Sequence, residues 1–136
     1  MKQAAIFISM AFIFAGCELF VIGTPHKEPA PEINQNSALG AIYLFKAGLD
    51  SNNIRAATEI FANSDGSPVL AVEKYEMFDE LDRMRRLIGS KPVTLVKTDS
   101  ITRTTYDIRM EFDYLRTVLF TASKISDNWY IIGYRE

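Results

Sequence analysis

The chemistry open to this chain is bounded first by its scarce residues. One cysteine, Cys17, and one histidine, His26, occur in 136 residues, and both precede the part that patterns as a folded domain. A domain without imidazole cannot run serine-histidine or cysteine-histidine catalysis, and it has no histidine for a zinc site. Acid-base work then falls to carboxylates and phenols. Asp107 is the candidate base, because an isomerase-type site needs a carboxylate whose pKa is tuned by burial near a phenol. In Thr102 to Phe112, however, Tyr106, Ile108, Met110 and Phe112 alternate with Arg103, Thr105, Asp107, Arg109 and Glu111. That period of two puts Asp107 and Glu111 on the wet face with Arg109 between them, so surface ion pairing is expected there. Tyr43, Tyr106, Met110 and Trp129 are the candidate lining of a ligand pocket, and Met77 and Met84 would add adaptable apolar surface. Each of them would serve equally as ordinary core. Arg83, Arg85 and Arg86 form the densest cationic group, but Asp79 and Asp82 stand four residues before Arg83 and Arg86. This spacing predicts a solvated, paired helix face and not a lipid headgroup contact. There is no phosphate-binding glycine loop, acidic metal cluster or nucleophile elbow, so no metal or cofactor is expected.

The elements that must position these residues follow from periodicity. Asn36 or Ser37 caps a helix carrying Leu39, Ile42, Phe45 and Leu49 on one stripe. After Asp50-Ser51-Asn52-Asn53, a shorter second helix carries Ile54, Ala57, Ile60 and Phe61, giving a helical hairpin. Ser67-Pro68 then marks the mouth of a third and longest helix with Met77, Leu81, Met84 and Ile88 on one stripe, ended by Gly89. From Val93 the period changes, and four strands are expected: Val93 to Asp99, Thr102 to Phe112, Leu115 to Lys124 and Asn128 to Arg135. Short connections at Asp113-Tyr114 and Ser126-Asp127 predict hairpins and an antiparallel meander. Val118-Leu119-Phe120 and Trp129 to Ile132 are apolar on both parities, which predicts an outer face covered by a helix or a second copy.

Upstream, Lys2, an apolar run from Ile6 to Phe14 and the small pair Ala15-Gly16 have the order of a secretory signal. With Cys17 they resemble the bacterial lipoprotein lipobox, although Phe14 stands where that family has an aliphatic residue. The resemblance implies a signal over residues 1–16, lipid on Cys17 as the first mature residue, and a periplasm-facing outer-membrane anchor, since Glu18 replaces the Asp that marks inner-membrane retention. An uncleaved inner-membrane anchor is the alternative, because Leu19 to Ile22 extend the apolar run from Ala4 toward the roughly 20 residues that span a bilayer. Glu18 within such a span would cost about 3 kcal/mol.

Residues 17–36 then read as a lipidated N-terminus and tether, with Pro25, Pro29 and Pro31 among charged and small residues that bury little and favour extended chain. Residues 37–136 are enough for one domain with its own core. The formal charge is −2, or −3 once Lys2 leaves with the signal, which offers nucleic acid no electrostatic attraction. Helices followed by an antiparallel sheet closing on Asp127 to Tyr134 resemble the cystatin-like superfamily, which includes nuclear transport factor two and ketosteroid isomerase. That resemblance implies an α+β fold in which N-terminal helices pack on a curved four-stranded antiparallel sheet, a cone open at one end to an apolar pocket. The expected function is a non-catalytic binding or interaction module for a small apolar ligand or protein partner. An isomerase- or hydrolase-type enzyme with Asp107 as base, and a structural homodimer, are the alternatives, because a fold of this kind does not decide function.

Overall fold

The computed structural model describes residues 30–136; the signal, Cys17, His26 and most of the tether lie outside the described residues. Helix α1 runs Ala38–Asp50, and its N-cap is Ser37, whose hydroxyl accepts from the Gly40 amide at 3.0 Å. Three of its four stripe residues are inside, Ile42 and Phe45 at 0 % and Leu49 at 1 % exposure, while Leu39 is half-buried. The chain reverses through Asn52 in the left-handed region, φ 58°, and Asn53 caps helix α2, Ile54–Thr58, by accepting from the Ala56 amide. Gly48 lets the two helices touch, since a Cβ there would stand 3.1 Å from the Ala57 nitrogen.

Helix α2 stops earlier than its apolar spacing predicts. Ile60 and Phe61 leave the helix to strap the last strand: the Ile131 amide donates to the Ile60 carbonyl, and the Ala62 amide donates to the Ile131 carbonyl. The third helix also departs from expectation. The Ser67 hydroxyl accepts from the Asn63 side chain in a turn, Pro68 bridges to Ala62, and neither opens a helix. Helix α3, Ala71–Glu76, starts where Glu73 accepts from the Leu70 amide. Helix α4, Phe78–Ile88, follows after a break at Met77. That break leaves α1, at 13 residues, the longest helix among the described residues. Leu81, Met84 and Ile88 face inward as their spacing requires, and Gly89 closes α4. No helix among the described residues is long and apolar enough to cross a membrane.

Four antiparallel strands form one open sheet in the order β1-β2-β3-β4: β1 Val93–Thr102, β2 Thr105–Phe112, β3 Arg116–Ile125 and β4 Asn128–Arg135. The molecule is therefore α+β, with a meander sheet not closed into a barrel. Alternation on β2 is as expected, with Ile108, Met110 and Phe112 at 0 % exposure. Helix α1 lies against β3 and β4, and Phe45 meets Phe61 and Phe120 edge-on, ring centres 5.4 and 5.8 Å apart. No helix among the described residues covers the outer face of the sheet. The two-sided apolar run on β4 has another cause: a register shift pairs Thr121 with Gly133 and Ala122 with Ile131, so Ile132 is the extra residue of a bulge.

Candidate functional site

The sequence-selected pocket residues do not converge. Met110 is wholly inside the core. Tyr106 and Trp129 come together, ring centres 5.3 Å apart, and line a shallow groove of about 340 Å³ with Asn36, Leu39 and Thr98 at the N-terminal end of α1. Tyr43 is elsewhere. It lines a second open groove, about 550 Å³, together with Ile33, Lys46, Ala47, Asp50, Pro92 and Val93.

That second groove has an internal ion pair at its floor. Lys46 is 7 % exposed, and its Nζ donates to both carboxylate oxygens of Asp50, at 2.8 and 2.7 Å. The Ser90 amide also donates to Asp50, at 2.7 Å, and the Lys46 ammonium stands 5.9 Å from the centre of the Phe112 ring. Both charges are thus consumed internally. Besides this pair the groove is lined by the half-buried Tyr43 ring, Ala47, Pro92, Val93 and the exposed Ile33, and by Ser90 and Lys91, the latter without an ion-pair partner among the described residues. Burial pushes the Tyr43 phenol up from its ordinary value. Its hydroxyl makes no hydrogen bond to another described residue, so it is a neutral donor free for a ligand. Lys46 and Asp50 were missed at the sequence level, although a cation and an anion four residues apart beside an apolar stripe are the visible signal.

Asp107 sits on the outer face, away from both grooves. It accepts from the Thr121 hydroxyl at 2.7 Å, and Glu111 accepts from the Thr94 hydroxyl at 2.8 Å. Hydroxyls, not Arg109, are their partners, so the expected ion pairing on this face is replaced by cross-strand hydrogen bonds. The arginine face of α4 is paired, with one change of partner. Asp82 binds Arg85 and Arg86, whereas Arg83 bridges Glu80 and Glu136, at 2.8 and 2.6 Å, in place of Asp79. The hydrogen bond from Arg83 holds the Glu80 carboxyl below its ordinary value. Burial, and then the Glu80 charge, push Tyr134 up to about 12. Glu80 is therefore held as an anion beside a protonated phenol, the wrong direction for a general base near neutral pH. Among the described residues no group of three or more His, Cys, Asp and Glu side chains is placed to hold a metal ion.

The fold and site define an α+β domain with an apolar surface groove over an internally neutralised ion pair. No protein-family model matches the chain, and no curated protein matches it either.

Proposed function

We propose that this is a lipid-anchored envelope protein, carrying lipid on Cys17, whose domain is a cystatin-like, non-catalytic binding module for a small apolar ligand. The observation that carries the binding reading is the groove along α1. Its lining is mostly apolar, its buried cation Lys46 is already neutralised by Asp50, and the Tyr43 phenol, with no hydrogen-bond partner among the described residues, offers a donor to orient a guest. The anchor reading is supported by Ala15-Gly16-Cys17 following the apolar run.

The two halves are tested separately. Wild-type protein expressed with labelled fatty acid should become labelled, and Cys17→Ser should not; label in the Ser variant, or none in the wild type, sinks the anchor. For the groove, the neutral fluorophore N-phenyl-1-naphthylamine should brighten on wild-type protein. Ala47→Phe, which fills the groove from a half-buried position on α1, should abolish most of that gain without lowering the melting temperature. Equal fluorescence from both proteins would remove the groove as the binding site.

A further inference from the structure

The two edges of the sheet are treated differently. The outer edge of β4 is strapped by backbone at Trp129, whose amide donates to the Gln35 carbonyl, and at Ile131, which exchanges bonds with Ile60 and Ala62. The outer edge of β1 carries no such strap among the described residues, and it is long, 10 residues, with six of them from Lys97 to Thr102 exposed. A bare edge of this kind is a template for another strand.

Side chains on β1 also look unfinished. On the outer face, Lys97 lies directly opposite Arg109 and Asp99 directly opposite Asp107. Like charges facing each other across a ladder oppose pairing, and neither Lys97 nor Asp99 has an ion-pair partner among the described residues. Leu95, 44 % exposed, precedes these charges, and Ile101, 55 % exposed, follows them as the unpaired residue of a register shift between Ser100 and Thr102.

We propose that β1 pairs antiparallel with β1 of a second copy, about a two-fold axis through Thr98. In that register Lys97 faces the partner's Asp99 and Asp99 faces the partner's Lys97, both within the regular stretch from Leu95 to Ser100. Each charge that meets a like charge within its own sheet then meets an opposite one across the axis, twice over by symmetry. Moving the axis to Lys97 sets Lys97 against itself and Leu95 against Asp99. Moving it to Asp99 sets Asp99 against itself and Lys97 against Ile101. Of these registers, only the one centred on Thr98 sets both charges against opposite ones. A single Lys on an edge would normally deter pairing; here Asp99 two residues on converts it into a self-complementary code.

The test uses the full chain in detergent, by sedimentation over a concentration series. Wild type should be dimeric. Lys97→Asp should self-associate about tenfold or more weakly, since two attractive pairs become repulsive, while its melting temperature holds or rises because the introduced carboxylate now opposes Arg109. Lys97→Asp combined with Asp99→Lys should regain the dimer. Opposed residues on antiparallel strands have Cα atoms about 4.5 to 5.5 Å apart, within disulfide range, so Thr98→Cys should give a covalent dimer under mild oxidation where the unaltered chain does not. A monomeric wild type, unchanged association in Lys97→Asp, or no cross-link beyond that of the unaltered chain overturns the proposal.

Discussion

Lys46 shows how a residue that sequence pattern treats as a helix surface becomes part of an interior. Its Nζ sits beside Phe112 and gives two donors to Asp50, so removing Asp50 leaves a nearly buried ammonium without its counter-ion. Breaking a buried pair from one side costs about 3 to 5 kcal/mol. The side chain of Asp50 is 38 % exposed, and solvent screening brings the expectation for Asp50→Ala down to about 2 kcal/mol. Chemical denaturation should show that loss. Lys46→Met together with Asp50→Leu should recover most of it, because a pair replaced by apolar groups is close to neutral; a double variant as unstable as the single would mean that Asp50 acts through the Ser90 amide alone. The burial of Lys46 was not legible in the sequence. The i,i+4 spacing announces a partner, but only the tertiary fold brings Phe112, from β2, to the ammonium.

At the scale of elements, what was legible is what depends on neighbours within a turn or a strand. The Ser37 cap, the α1 stripe, the period of two on β2, the hairpin meander and the Gly89 stop all rest on local spacing, and each is present. At the misjudged boundaries a competing hydrogen bond displaced the expected one, across the chain at Ile60 and Phe61 and over only four residues at Ser67. Ile60 and Phe61 had helical spacing but were captured by β4, and the Ser67 hydroxyl was taken by Asn63 before it could cap a helix. Register shifts between Val93 and Leu95 and near Ile132 have no sequence signal of their own, so the like-charge rungs of β1 and β2 and the true facing of β4 stayed hidden. Strand β2 gives the sharpest check of the inward and outward assignment. Met110 is 0 % exposed and Arg109 is exposed; Met110→Asp should therefore lower stability by about 3 kcal/mol or more through an unpaired buried charge. Arg109→Ala should change it by less than about 1 kcal/mol, and removing one of two opposed cations should not be destabilising. Comparable losses at both positions in thermal melts would contradict this facing.

The molecule as a whole has one contiguous core shared by α1, α4 and the sheet, so its stability responds to pH as a unit. Tyr134 packs on Phe61 with ring centres 6.1 Å apart and is pushed from 10.0 up to about 12. The folded state therefore holds this proton more tightly than the unfolded chain does. Its contribution is fully present below pH 10 and is lost as the pH rises through about 12. Tyr43 shifts in the same direction. Melting temperature should be level to the edge of that window and fall within it, and Tyr134→Phe should flatten the fall. An alkaline limb identical in Tyr134→Phe would assign the effect to other groups. The sequence identified Tyr43 as a residue to watch and passed over Tyr134, because the charge that acts on Tyr134 comes from Glu80 on α4, far from it along the chain.

Gln35 receives the Trp129 amide on its carbonyl and returns its side-chain amide to the Trp129 carbonyl, at 2.8 and 3.0 Å. A pull on the chain upstream of residue 30 therefore meets this two-bond clasp before it can load the first turn of α1. Tension is handed across 94 positions of sequence to the start of the last strand, which shares it with β3 through the ladder and with Ile60 to Ala62 through the strap. The start of α1 is thus shielded mechanically by residues of the last strand, and losing β4 would leave the helix to bear any pull from upstream alone.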